Sequence, residues 1–132
     1  MLKKRNTHRH VIKNHPDKVK EMTLSAFRET VDNSIYYLWN QHQRNMGLQG
    51  VGIPVGSAIL HWFHEGRYPI WDRHARWSVR LNECQHQYKN DYERWHAYVE
   101  FCRSTADKYE VCMRTLDRAL LQYGKDNNSR SC

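Results

Sequence analysis

Proline is scarce in this 132-residue chain, with three in all: Pro16, Pro54 and Pro69. Glycine is little commoner, and four of its six residues crowd between Gly47 and Gly56. With breakers so few and so clustered, the stretches between them are open to long helices. Acid is nearly missing from the first twenty positions, where only Asp17 carries one. The cysteines, Cys84, Cys102, Cys112 and Cys132, stand singly. That scatter predicts mostly buried, reduced thiols and a cytoplasmic protein. No apolar run approaches the ~18 residues of a membrane span. The basic N-terminus lacks the apolar core of a secretory signal. No glycine loop of Walker or Rossmann spacing occurs, and no Ser-His-Asp or Cys-His pattern supplies a nucleophile. No strand pattern, internal repeat or low-complexity tract stands out.

What is present is basic charge and helical periodicity. Residues 1–20 hold seven basic side chains against one acid, and the remainder holds fourteen against thirteen, so the formal +7 lies almost wholly at the N-terminal end. Residues 1–14 read as a flexible basic arm. Two uses fit it: attracting phosphates through counterion release, or acting as a solubilising tail or the remnant of a leader.

Asn14-His15-Pro16-Asp17 marks a helix start. Val19, Met22, Ala26 and Phe27 supply its apolar face. Asp32 or Asn33 can cap a second helix carrying Ile35, Leu38, Trp39 and Met46. A third helix carries the stripe Val55, Ala58, Ile59, Trp62 and Phe63 and ends near Glu65-Gly66. Asp72 begins a fourth, on which Arg73, Arg76 and Arg80 form one basic stripe at i, i+3 and i+7. His74, Trp77 and Leu81 share another of its faces. Tyr88, Tyr92, Trp95, Val99, Cys102 and Ala106 mark a fifth, and Met113, Leu116, Leu120 and Tyr123 a last one stopped at Gly124. The reading is an all-α domain over 15–124 with about six helices, followed by a frayed tail over 125–132.

The chemistry concentrates in two stretches. In the first, Gly50 and Gly52 flank Val51, and Pro54 sits where a helix can open without losing a hydrogen bond. A glycine turn running into a helix N-terminus aims backbone amides at an anion. The same residues also make an ordinary turn between packed helices. In the second, Tyr68-Pro69-Ile70-Trp71-Asp72-Arg73-His74 forces an extended connection and brings one carboxylate to a helix start. That carboxylate can stabilise developing positive charge or orient a water, or it can simply cap its own helix.

Leu48-Gln49-Gly50-Val51-Gly52 resembles the L-P-G-V-G hairpin of the helix-hairpin-helix DNA glycosylases, the endonuclease III superfamily. Pro69-Ile70-Trp71-Asp72-Arg73-His74 resembles that family's P-V-D-x-H stretch, with one extra residue between proline and aspartate. The likeness runs from Met46 to Leu81, about a quarter of the chain, and points to a small or N-terminally shortened member. It implies double-stranded DNA as partner, in a nucleoid if the protein is bacterial. Gly50, Val51, Gly52 and Val55 would then grip the backbone, with His74 beside the lesion and Arg73, Arg76 and Arg80 as further DNA contacts. It also implies Asp72 as the carboxylate that hydrolyses the N-glycosidic bond of a damaged base, in base-excision repair. For His74 the alternative is a packed side chain on an apolar face.

Two departures refine what the likeness implies. Bifunctional members carry a Schiff-base lysine where this chain has Pro54, so no β-lyase activity is expected. Full glycosylases have more helical chain ahead of the hairpin than Met1 to Met46 provides, which keeps open a non-catalytic DNA-binding module or a protein-interaction adaptor. Larger members hold an iron–sulfur cluster on closely spaced cysteines, and these four lack that spacing, so no cluster is expected. A monovalent cation on the hairpin carbonyls is the one cofactor the likeness suggests. His61 and His64 with Glu65 resemble the start of a zinc site, but no third ligand is evident and no metal is expected.

Overall fold

A computed structural model describes residues 13–28, 34–39, 47–64, 66–79 and 90–127. Among them the protein is all-α: six helices and no strand. The chain divides into two compact units, Met1–Phe63 and His64–Cys132.

The first unit holds α1 (Pro16–Arg28), α2 (Ser34–Leu38) and α3 (Ile53–Phe63). Pro16 opens α1, where its missing N–H costs nothing. His15 precedes it: its carbonyl accepts from the Val19 amide at 3.1 Å, and its Nδ1 accepts from the Asp17 amide at 3.2 Å. Ala26, Ile35, Leu38, Leu48, Val51, Ile53 and Leu60 form the core of this unit. The residues that would cap α2, Asp32 and Asn33, lie outside the described residues, as does Met46.

α3 differs from its expected orientation. The buried positions are Ile53, Gly56, Ser57, Leu60 and His61. Val55, Trp62 and Phe63 are exposed by 40%, 63% and 50%. The stripe expected to face the core is therefore two residues out of phase, about 200° around the helix axis at about 100° per residue. Gly56 explains it. A Cβ there would meet Ile35 Cδ1 at 3.0 Å and Leu38 Cβ at 3.5 Å, so α2 lies close over the bare glycine backbone. Ser57 tolerates burial because its hydroxyl donates to the Pro54 carbonyl at 2.9 Å. Outside, Phe63 stacks flat on Phe27, with ring centroids 3.6 Å apart.

The second unit holds α4 (Arg73–Ser78), α5 (Asp91–Tyr109) and α6 (Met113–Asn127). α5 begins where the Asn90 side chain accepts from the Glu93 amide at 2.9 Å. It ends with Glu110 in the left-handed region, φ 53°, where glycine is usual, and the Val111 amide closes the turn on the Ala106 carbonyl. The helix start therefore lies three residues beyond Tyr88, which is outside the described residues. Trp95, Tyr98, Val99, Cys102 and Ala106 face inward together with Tyr68, Trp71, Ala75, Met113 and Leu116. Trp71 packs edge-on against both Tyr98, at 5.4 Å, and Trp95, at 6.0 Å.

α6 does not stop at Gly124 but runs through it to Asn127. A Cβ on Gly124 would lie 2.1 Å from the His74 carbonyl oxygen. The glycine serves close helix approach, not termination: α4 and α6 touch backbone to backbone there. Ser78 adds a hydroxyl whose oxygen lies 2.6 Å from the Leu120 carbonyl and 3.0 Å from that of His74.

Candidate functional site

The glycine turn forms in the first unit as a tight, internally bonded loop. Gly47 and Gly50 take φ of 86° and 79°, which side-chain-bearing residues rarely adopt. Gly52 does not need a positive φ, and its place is the step into α3, where its carbonyl accepts from the Gly56 amide at 2.9 Å. The Val51 amide donates to the Leu48 carbonyl at 3.1 Å, and the Leu48 amide to the Leu38 carbonyl at 3.1 Å. Trp39 and Leu48 form an isolated parallel bridge. Val51 and Ile53 are buried and act as the plugs that hold the turn down. Gly50 and Gly52 are half-buried, and Pro54 and Val55 are exposed. Amides in the first turn of α3 have no acceptor within the helix, and its positive dipole end lies there.

A residue that the sequence reading missed completes this loop. Asn14 donates from Nδ2 to the Gln49 carbonyl at 3.0 Å and accepts at Oδ1 from the Gln49 amide at 2.8 Å. One amide side chain thus copies a strand pairing across a separation of 35 residues. Local spacing shows Asn14 only as a helix-start residue; nothing near it in the chain announces Gln49.

Asp72 lies in the second unit. Its backbone is extended, φ −106° and ψ 143°, and it is the N-cap of α4. Oδ1 accepts from the His74 amide at 2.7 Å and from the Ala75 amide at 3.3 Å. Both bonds end on the same oxygen, and neither uses Oδ2. The carboxylate is half-buried.

The segment that delivers Asp72 is held at Ile70. The Ile70 amide donates to Asp117 Oδ1 at 3.0 Å. The Ile70 carbonyl accepts from the Tyr98 hydroxyl at 3.1 Å and from the Asp72 amide at 2.9 Å. Asp117 is 4% exposed, and Arg114 Nη1 lies 3.6 Å from its other oxygen. Burial pushes the Tyr98 phenol well above its ordinary range, so it stays a donor. Asp117 was legible in principle: it falls four residues after Met113 and three before Leu120, on the apolar face of its helix, where a carboxylate needs a reason to be.

The basic residues of α4 differ in their surroundings. Arg73 is exposed. The Arg76 guanidinium lies over the Trp71 ring, 4.5 Å from its centroid. Burial holds the Arg76 pKa below its ordinary value, against the opposing pull of Asp91 and, more weakly, Asp72. Arg80 lies outside the described residues. The ring of His74 is partly enclosed, with Nδ1 shielded from solvent.

No three His, Cys, Asp or Glu side chains come together as a metal set among the described residues. α3 ends at Phe63, so His64 stands past the helix that carries the buried His61. No helix among the described residues is long and apolar enough to cross a membrane. No family model, curated protein or solved structure matches the chain.

Proposed function

We propose that this protein binds duplex DNA through the glycine turn ahead of α3, in the manner of helix-hairpin-helix proteins. The observation that supports the reading is the turn itself: Gly50 at φ 79°, plugged from below by the buried Val51 and Ile53, opening onto a helix on which Pro54 and Val55 are exposed. Such a loop presents backbone amides to a phosphate without a side chain intervening. Contacts of this kind carry no base information, so the binding is sequence-tolerant and salt-sensitive. Within this reading the protein is a monofunctional DNA glycosylase in which Asp72 stabilises oxocarbenium character on the sugar. Asp72 Oδ2, uncommitted to the cap, is the atom for that role.

A second reading has its own support. Asp72 already does a complete structural job as the cap of α4, and a non-catalytic DNA-binding module needs nothing more of it.

The test is fluorescence anisotropy with a short duplex, beside a base-release assay over a panel of damaged bases. Duplex affinity is expected to fall by more than tenfold between about 50 and 200 mM salt. Gly50→Val is expected to weaken it further, because a β-branched residue resists that φ. Asp72→Asn is expected to abolish base release and leave duplex affinity unchanged. Wild-type protein that binds duplex but releases no base from any lesion establishes the second reading. Protein that ignores duplex at low salt ends both.

A further inference from the structure

Two arginines from different helices of the second unit come together around the Trp71–Trp95 pair. Arg76, on the last turn of α4, lays its guanidinium over the Trp71 ring, 4.5 Å from the centroid. Arg94 stands in the first turn of α5, one residue before Trp95, whose ring meets that of Trp71 at 6.0 Å. A helix start carries the positive end of the dipole, where a cation is disfavoured. Arg94 Nη1 donates to Asp91 Oδ1 at 3.2 Å. Burial first, and Arg94 after it, oppose the charge on Arg76, while Asp91 is the strongest of the charges that support it. The Nε atoms of Arg76 and Arg94 are both enclosed, and neither has a hydrogen-bond acceptor among the described residues. Stacking on an indole covers the flat face of a guanidinium and leaves its edge, where the N–H groups point, to be satisfied separately. Two enclosed donors left unpaired on like charges are costly, and a single anion with several oxygens serves both.

We propose that Arg76 and Arg94 form a phosphate-binding site in the second unit, the Nε–H groups of both arginines donating to the oxygens of one phosphate group. The class of ligand follows from the donors. A guanidinium fork matches the paired oxygens of an oxyanion, and two forks of like charge match a group with more than two oxygens and more charge than a carboxylate. Asp91, with a side chain 57% exposed, is the carboxylate that the incoming phosphate displaces from Arg94. A DNA backbone and a free phosphate ester both offer such a group. The site is built wholly from the second unit and does not depend on the glycine turn.

The experiment follows the arginine Nε–H signals in nitrogen–proton correlation spectra while inorganic phosphate is added at constant ionic strength. The Arg76 and Arg94 signals are expected to shift together and to saturate, and sodium chloride is expected to move neither. Arg76→Lys and Arg94→Lys keep the charge but lose the fork, and each is expected to weaken phosphate binding on the order of tenfold. Asp91→Asn is expected to tighten it, because the competing carboxylate is gone. Circular dichroism melting checks that each variant is folded. Signals that never saturate overturn the proposal. An unchanged Kd in either lysine variant, or weaker binding to Asp91→Asn, overturns it as well. Anisotropy on a short duplex without terminal phosphates then names the source of the group. Weaker duplex binding by Arg94→Lys assigns a backbone phosphate to the site, and equal binding assigns a free phosphate ester.

Discussion

At the scale of single residues, two side chains have roles that their neighbours in sequence do not settle. Cys112 is exposed at the start of α6, and its Sγ lies 3.2 Å from Thr115 Oγ1. That hydrogen bond, with the backbone amides there, holds its pKa below the ordinary thiol value. Cys102 is buried, which pushes its thiol up to about 12. Iodoacetamide at neutral pH should therefore modify Cys112 well before Cys102, and mass mapping of the labelled peptides would read the order. Preferential labelling of Cys102 would contradict it. The expectation of mostly buried thiols thus holds for Cys102 and not for Cys112, since periodicity places a cysteine on a helix face but not at a helix start. Asp72 offers the second case. Asn caps as well as Asp, so Asp72→Asn should stay within about 0.5 kcal/mol of wild type, whereas Asp72→Ala should lose about 1 kcal/mol. Urea melts separate the two, and a large loss in the Asn variant would mean that Asp72 holds more than its own helix.

At the scale of elements, the contact between α4 and α6 depends on an absent side chain. Gly124→Ala puts a methyl 2.1 Å from the His74 carbonyl oxygen and 2.6 Å from its carbon, both of them backbone and unable to swing aside. The helices must separate, at about 2–3 kcal/mol. A thermal melt of the variant that matches wild type would show that α6 does not approach α4 this closely. The last helix itself was plain from Met113, Leu116 and Leu120, and so was the glycine. The purpose of that glycine was not, because a terminating glycine and a close-approach glycine have the same letter. α3 fails in the same way. Its stripe Val55, Ala58, Ile59, Trp62 and Phe63 predicts one face, and its glycine and serine lie on the opposite, buried one, the glycine against α2. Hydrophobic periodicity counts side chains that seek burial and is blind to positions buried because they are small.

For the molecule as a whole, buried weak acids set the alkaline limit. Burial raises Cys102 from 9 to about 12 and pushes Tyr98 up with it. Both stay neutral in the folded chain at pH values where the unfolded chain ionises them. The stability they permit is complete below pH 9 and is lost as pH rises from 9 toward 12. Urea midpoints taken across that range should fall with pH, and Cys102→Ala should make the fall shallower. A flat profile would show that the second unit opens these groups to water.

The all-α class, the starts of α1, α3 and α4, the place of the turn and the capping chemistry at Asp72 were all readable along the chain. They arise from backbone geometry and from neighbours within a few residues, which the order of amino acids specifies directly. The face α3 turns inward, the reach of Asn14 to Gln49, the grip of Tyr98 and Asp117 on Ile70, and the reason for Gly124 came only with folding in three dimensions. Each joins positions at least 18 residues apart, from Leu38 against Gly56 upward, or turns on steric room, and neither distance nor room is written into a local pattern.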